Sequence, residues 1–377
     1  MNILVVHEAD YIDQVVYEYQ IIPELLASRG HNVYVIDFST KKGGVYQNVK
    51  KANKKAGVTL IRPRIVNIPY LARLSASVSH FLAIGRVIQK RKIDKIILYS
   101  IPTNGIQTLF WGNMYKIPVL FRLLDVLHEL VPNSLARYPI YILEKIIYKY
   151  SNCVLAVTPQ TTNYALKLGA NPKTTFYLPT GADFDLFHPA PKKKKLLKKY
   201  HLCSTDLVIL FAGTMFRFSG LDGIIKKMSN HLPKLPNLKL VIVGRGEQEK
   251  ELRRLVEKLN LSKNVIFTGF VNYKNLVEYI NLADICINPF RITPATNAIF
   301  PGKIYQYTSC AKPTLATKLQ GMIDIFPVNN KAGIYYYDTE DEFFKLIPKV
   351  LNKKFHNPNP SIQEITKTIE QRLKLLK

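Results

Sequence analysis

The sequence predicts an α/β protein made of two doubly wound domains, each a mostly parallel sheet covered by helices. Three observations carry that expectation. Short apolar runs alternate with helical segments along the whole chain, the pattern of strand–helix–strand units. The length, 377 residues, suits two or three domains that each bury a core. A turn-rich break around Pro179–Pro191 divides the alternation into two sets.

In the first set the expected strands are Ile3–Val6, Val33–Asp37, Val58–Ile61, Ile96–Tyr99, Val119–Arg122, Val154–Thr158 and Thr175–Leu178. A helix over Gln14–Ser28 stops at Arg29-Gly30, with glycine as the terminator. Leu71, Leu74, Val78, Phe81, Leu82, Gly85 and Ile88 keep helical spacing, with Arg73, Ser77 and His80 on the other side. Packing of that apolar side onto the core is the default, and an in-plane membrane helix is the alternative. After the break, the run Lys192–Lys199 completes a linker. The second set has strands at Val208–Ala212, Leu238–Val243, Val265–Thr268, Ile285–Asn288, Thr314–Ala316 and Ile334–Tyr336. Helices are expected at Gly246–Leu259, Tyr273–Asn281 and, in the tail, Ser361–Leu376. The domain limits that follow are 1–185, 186–355 and a C-terminal helix within 356–377, packing back towards the first domain.

Hydrophobic residues make up 47% of the chain and its mean hydropathy is near zero, a soluble globular composition. Cys153, Cys203, Cys286 and Cys310 show no paired spacing, which points to a reducing compartment and away from zinc. Met1–Val6 lacks the basic flank and the length of a signal peptide and reads as a first strand. The longest uncharged run, between Lys95 and Lys116, contains Pro102, Asn104 and Gly105, so it reads as strand, turn and helix rather than a membrane span. The formal charge is +26, and residues 41–95 hold 14 Lys/Arg against one acid, Asp94. Such a surface binds nucleic acid or anionic membrane, or is simply solvated. No aromatic–basic interleaving of an RNA module is present, so no specific nucleic acid is expected.

Ligands of doubly wound sheets bind beyond the carboxyl ends of the strands. The loop Asn297-Ala-Ile-Phe-Pro-Gly-Lys303-Ile-Tyr-Gln306-Tyr307 carries one lysine into a helix start. Residues three apart share a helix face, and a helix start offers free N–H groups to an anion. Lys303 therefore suits a diphosphate and Gln306 a sugar hydroxyl. Gly213-Thr214-Met-Phe-Arg217-Phe-Ser219-Gly220 follows another strand, and Arg217 can add a bidentate phosphate contact. An ordinary strand–helix loop is the equal alternative there. Gly244-Arg245-Gly246-Glu247 is a second glycine turn, and Gly269-Phe270-Val271 suits a nucleobase packed on backbone. No Walker loop or Gly-x-Gly-x-x-Gly is present, which argues against ATP hydrolysis and dinucleotide chemistry. In the first domain, His7-Glu8 ends one strand and Asp125, His128 and Glu129 follow another. An acid or imidazole there can orient hydroxyls. The alternative is that Asp125 caps the next helix and His128 packs on its surface.

Taken in order, Leu178-Pro-Thr-Gly-Ala-Asp-Phe-Asp-Leu-Phe-His-Pro, Phe211-Ala-Gly-Thr, Val241-Ile-Val-Gly-Arg-Gly, Val265-Ile-Phe-Thr-Gly-Phe-Val and Phe300-Pro-Gly-Lys-Ile-Tyr-Gln-Tyr closely resemble the GT-B glycosyltransferases of family 4. Arg29-Gly30-His31-Asn-Val33 resembles a further element of that family, so the likeness runs over essentially the whole chain. The resemblance implies two Rossmann-like domains facing across a cleft. It implies a nucleotide-sugar donor bound by Gly213, Thr214, Arg217, Gly244, Phe270, Val271, Asn297, Lys303 and Gln306. The acceptor would be lipid-linked or a polysaccharide, bound by the first domain with His7 and Glu8 on its side. Asp125, His128 and Arg217 are then the candidate catalytic residues. Family members generally retain anomeric configuration and need no metal or other cofactor. Asp183-Phe-Asp185 matches the family's turn rather than a metal motif.

The departures bear on mechanism. The family's usual Glu-x7-Glu pair corresponds to Ala298 and Gln306. Loss of charge assistance at a ribose contact costs roughly 1–2 kcal/mol. Two usual cations correspond to Thr214 and Ser219, leaving Arg217 and Lys303 to neutralise the leaving diphosphate. The basic 41–95 segment suggests a peripheral cytoplasmic protein on the inner face of the cell membrane. A GT-B sugar-nucleotide epimerase and a catalytically weak binding protein are the competing classes.

Overall fold

The computed structural model describes every residue except 53, 54, 67, 69, 70, 132, 133, 330, 352, 354, 356–358 and 377. The chain divides into two units, Met1–Thr180 with Ile362–Lys377, and Gly181–Ser361. The divisions thus fall at 180/181 and 361/362 rather than 185/186 and 355/356. The Asp183 carbonyl accepts the N–H groups of Leu186 and Phe187, so Asp183-Phe-Asp185 forms a turn.

The first unit holds β1 (Asn2–Val6), β2 (Asn32–Ile36), β3 (Gly44–Val49), β4 (Val58–Arg62), β5 (Lys95–Leu98), β6 (Val119–Leu123), β7 (Cys153–Ala156) and β8 (Thr175–Tyr177). Their order is β3-β4-β2-β1-β5-β6-β7-β8. All neighbours run parallel except β3 and β4. The central strands are mostly apolar because helices cover both faces. Strand β3 is absent from the expected set: Gly-Val-Tyr-Gln-Asn-Val has no buried residue, and an edge strand with two solvated faces leaves no alternation to read.

The helix Leu71–Arg91 buries only part of the expected side, Gly85 and Ile88, and its buried stripe is rotated towards His80 in its first half. Ala76, His80, Ile84, Val87 and Ile88 are buried, whereas Leu74 and Val78 are 67% and 63% exposed. The Leu71 side chain lies outside the described set. His80 belongs to the core because both ring nitrogens have partners: Nε2 meets the Asp37 carbonyl at 3.2 Å and Nδ1 the Asn104 amide at 3.3 Å. The first helix begins at Glu18 rather than Gln14. Gln20 Oε1 accepts the Tyr17 N–H at 2.7 Å and closes the helix start there.

Arg122 of β6 is wholly buried and uses all five of its donors. Nε and one Nη2 hydrogen meet the Glu18 carboxylate at 2.6 and 2.8 Å. The others reach the carbonyls of Leu155, Leu178 and Pro179 at 3.3, 2.6 and 3.0 Å. One guanidinium thereby ties the first helix to β6, β7 and the end of the last strand. The C-terminal helix Ile362–Leu375 lies in this unit, with Ile365, Ile369 and Leu373 buried. Glu370 pairs with Arg29 at 2.5 Å, and Arg372 stacks over Phe176 at 3.7 Å.

The second unit holds β9 (Leu207–Ala212), β10 (Leu238–Val243), β11 (Val265–Gly269), β12 (Ile285–Asn288), β13 (Thr314–Thr317) and β14 (Ile334–Tyr337), in the order β11-β10-β9-β12-β13-β14. Every pairing is parallel. The strand order reverses between β9 and β12, and in the first unit between β1 and β5. Those are the topological switch points at which such sheets leave a crevice. The lysine run is not a free linker: Leu196 is buried, Lys192 pairs with Asp284 at 2.6 Å, and Lys193 pairs with Glu278.

Removing the partner of a buried cation strands its charge, at a cost of about 3–5 kcal/mol. Glu18→Ala should lower the stability of the first unit by that amount in urea unfolding. A loss below about 1 kcal/mol would contradict the structural weight given to this pair.

Candidate functional site

In the second unit, loops after adjacent strands interlock. The Gly213 N–H donates to the Val243 carbonyl, Gly244 to Gly269, and Met215 to Arg245. Gly213 and Gly244 have φ of +145° and +132°, and a Cβ on Gly244 would collide with the Gly213 carbonyl. Only glycine lets these loops cross so closely. The Gly244 turn thus packs loop against loop, and Gly213 is the glycine that borders open chemistry.

That chemistry is Lys303. The helix Lys303–Ser309 spans seven residues, and in it only Lys303 and Gln306 are not fully buried. The expected shared face is present. Its lysine side chain, rather than a long helix's free N–H groups, supplies the charge. Lys303 Nζ lies 3.8 Å from the centre of the Phe211 ring and 4.4 Å from that of Phe290. Phe211 belongs to β9 and Phe290 follows β12, so the ammonium occupies the switch point. Two aromatic faces stabilise a cation, yet no carboxylate pairs with it among the described residues. Burial alone pushes Lys303 well below the ordinary lysine pKa. The side chain of Gln306 likewise has no hydrogen-bond partner among the described residues.

Tyr307 makes room there. Its Oη accepts the Ala212 N–H at 2.7 Å, and β12 pairs with β9 only at Ile209 and Leu210. The side chain occupies the ladder position that a continuing strand would fill.

The remaining donor-side candidates differ in their freedom. Phe270 is 54% exposed, with Val271 half-buried beside it. Arg217 is exposed, its backbone N–H held by Glu247 at 3.2 Å, and its guanidinium makes no ion pair among the described residues. Thr214 is half-buried and its carbonyl accepts the Ser219 hydroxyl at 3.2 Å. Ser219 is wholly buried and shapes the loop. Asn297 spends Oδ1 on the Gln320 N–H at 2.8 Å, joining two short helices. Arg245 is an addition to the expected set, since its turn stands out in the sequence only for glycine. It is exposed and lies against Gly269, adding a cation to the same sheet edge.

In the first unit, His7 is 2% exposed and sits 4.8 Å from the Tyr19 ring. Its Nδ1 accepts the Ala9 N–H at 3.2 Å, while Nε2 is buried without a partner among the described residues. Burial, reinforced by His80, lowers its pKa to about 3, so the ring is neutral at pH 7 with Nε2 as donor. Glu8 has both oxygens occupied, by the Thr103 N–H and by Arg73 at 3.1 Å. It holds the loop after β5, and burial raises its pKa. Asp125 caps nothing: the following helix, Leu127–Leu130, has no side-chain cap. It is half-buried without a hydrogen bond or ion pair among the described residues, and burial pushes it up to about 6. His128 has Nδ1 at 2.8 Å from Glu144 Oε2. No group of His, Cys, Asp and Glu with the spacing of a metal site occurs among the described residues.

The sequence matches the profile of the Glycosyl transferases group 1 over residues 192–369 and that of Glycosyltransferase Family 4 over 16–186. The chain belongs to the family 4, group 1 glycosyltransferases. An uncharacterised glycosyltransferase of Methanocaldococcus jannaschii is 23% identical over 56% of this chain and 52% of its own length. A GDP-mannose-dependent monoacylated alpha-(1-6)-phosphatidylinositol monomannoside mannosyltransferase of Corynebacterium glutamicum is 33% identical over 37% of this chain and 36% of its own. The chain therefore spans about half or less of the length of these two relatives. The alpha-monoglucosyldiacylglycerol synthase of Acholeplasma laidlawii is 21% identical over 92% of this chain and 88% of its own. Among solved structures, Anabaena Alr3699/HepE in complex with UDP and glucose superposes with a TM-score of 0.74 at 16% identity, covering all of both chains. Sucrose-phosphate synthase of Thermosynechococcus elongatus gives 0.72 at 17%, covering all of this chain and 95% of its own. Both likenesses establish the fold.

Lys303 offers a direct test. Its lowered pKa means that the folded state resists protonation there while the unfolded chain does not. The unfolded state then binds more protons between the folded-state pKa and the ordinary lysine value of about 10.4. Stability should therefore rise with pH through that window relative to Lys303→Met. Parallel pH–stability curves for the two proteins would contradict a desolvated, unpaired lysine.

Proposed function

We propose that this chain transfers a sugar from a nucleotide-sugar donor bound by the second unit to a lipid-linked or polysaccharide acceptor bound by the first, with retention of configuration and without a metal. The observation that carries the reading is the unpaired Lys303 ammonium at the β9/β12 switch point. A cation kept from water without a counter-ion is destabilised alone and gains most when a dianion arrives. A departing nucleoside diphosphate is such an anion. The bond from the anomeric carbon to the diphosphate breaks as that carbon bonds to the acceptor oxygen, whose proton passes to the leaving diphosphate. Lys303, with Arg217 and Arg245 at the same edge, stabilises the charge that leaves. Gln306 takes one ribose hydroxyl, and Phe270 with Val271 supports the base. Asp125 and His128 orient hydroxyls of the sugar or acceptor, and His7 Nε2 is a buried donor with a hydrogen bond to give.

A membrane-borne acceptor fits the surface of the first unit. Leu74, Val78 and Leu82 form an exposed ridge, with Arg73, Arg86 and Lys90 on the same helix, and Phe110, packed on Phe81 of that helix, is exposed as well. Beside it a groove of about 540 Å³ is lined by Val45, Ile61, Ala83 and Val87, and by the cations Arg64 and Arg91. Apolar side chains bordered by cations suit the interface of an anionic bilayer. The names of the corynebacterial and Acholeplasma relatives point to glycolipids as well. No described helix is long and apolar enough to cross a membrane, and the attachment proposed is peripheral, through this surface.

Incubation with a panel of nucleotide sugars and lipid acceptors should give a product whose anomeric configuration matches the donor's. Lys303→Ala should weaken nucleoside diphosphate binding about 10- to 100-fold, the value of roughly 1.5–3 kcal/mol for a charged hydrogen bond. It should leave nucleoside binding nearly unchanged. Equal losses for both ligands, or turnover of the donor without an acceptor, would overturn the assignment. Flotation with anionic vesicles should fail in high salt and with Leu74, Val78 and Leu82 changed to Ser. Flotation indifferent to both would remove the membrane from the proposal.

A further inference from the structure

Glu144 is fully buried in the helix Ser134–Tyr150, and four donors converge on it. Oε1 accepts the N–H groups of Leu127 and His128 at 2.7 and 3.2 Å. Oε2 accepts from His128 Nδ1 at 2.8 Å and from the Tyr164 hydroxyl at 2.6 Å. Tyr164 stacks on the His128 ring with centroids 6.0 Å apart. Burial, with Glu144 beside it, raises its pKa, so the hydroxyl keeps its proton and donates. Both the backbone and the ring of His128 are therefore held by one carboxylate. The Tyr164 hydroxyl also lies 3.1 Å from Nδ1, but its single proton goes to the nearer Oε2 at 2.6 Å. A carboxylate offers no proton at Nδ1, so the neutral ring carries its own there. Nε2 is then left as the acceptor, and it has no partner among the described residues.

We propose that Glu144 is a positioning residue that sets the tautomer and orientation of His128, leaving Nε2 to accept a hydrogen bond from a hydroxyl of the sugar or acceptor. This rests on the reading of His128 as part of the reacting site. Tyr164 acts with Glu144 by fixing the plane of the ring. The three residues come from separate helices, and the carboxylate ties all of them to the segment that carries Asp125. Glu144→Gln keeps the shape but can turn an amide N–H towards Nδ1. That favours the opposite tautomer, with Nε2 protonated and unable to accept.

The tautomer can be read from 15N chemical shifts of the His128 ring at a pH where it is neutral. The wild-type ring should be protonated at Nδ1, and Glu144→Gln should shift the population towards Nε2–H. In transfer assays Glu144→Gln should lower kcat at least tenfold with little change in the donor KM. In a His128→Ala background, Glu144→Gln should add less than twofold, because its effect passes through the ring. An Nε2–H tautomer in the wild type would overturn the proposal even if the variant fails to fold. So would a full, additive loss in the double variant. His128→Ala with unchanged kcat would instead remove His128 from the reacting site, while the tautomer measurement would still report whether Glu144 controls the ring. Tyr164→Phe, a milder change, should keep the Nδ1–H tautomer and lose less than tenfold in kcat. A larger loss there than in Glu144→Gln would assign the control to the hydroxyl and overturn the role of the carboxylate.

Discussion

The structure turns on how it treats cations removed from water. A buried charge is tolerable when every donor is satisfied and costly when it is not. Arg122 meets the first condition through Glu18 and three carbonyls. In doing so it organises the ends of β6, β7 and β8 in the first unit. Lys303 meets only part of it: two aromatic rings line its site and no carboxylate neutralises it among the described residues. The one arrangement holds a fold together. The other stores a demand for an anion.

Topology decides where that demand is felt. Both sheets reverse their strand order once, between β1 and β5 and between β9 and β12. Loops diverge at each reversal, so side chains there are not covered by the next crossover. In the second unit Tyr307 widens the gap by taking the Ala212 N–H from the β9/β12 ladder. In the first, His7 and Glu8 end β1 at the reversal, and Glu8 ties down the loop that follows β5. Glycine, aromatic rings and a buried carboxylate thus have distinct tasks. The glycines let loops cross, the rings shelter charge, and Glu144 gathers an otherwise short and uncapped segment around His128.

Much of this is legible from sequence, and the failures have physical causes. Parallel strands buried on both faces appear as apolar runs, so β1, β6, β10 and β12 fall within a residue of their expected places. The shared face of Lys303 and Gln306 follows from a spacing of three. The helix Leu71–Arg91 buries Gly85 and Ile88 of the expected side but exposes Leu74, Val78 and Leu82, since the pattern finds an apolar stripe without saying what covers it. His80 looks polar in sequence and is core because Asp37 and Asn104 satisfy its ring. Glu8 looks free and is engaged, and Glu144 does not stand out because a single acid in a helix usually faces solvent.

By itself, the amino-acid order determined the alternation of strands and helices, the glycine positions and the family likeness, because each depends on residues close together in the chain. Which cations are paired was decided only by tertiary structure. Glu18 and Arg122 are far apart in sequence, as are Lys303 and its two rings, and pairing depends on which strands lie side by side. The same holds for His128: its neighbours in sequence suggest a surface residue, and only the folding of two further helices against it brings Glu144 and Tyr164 to its ring.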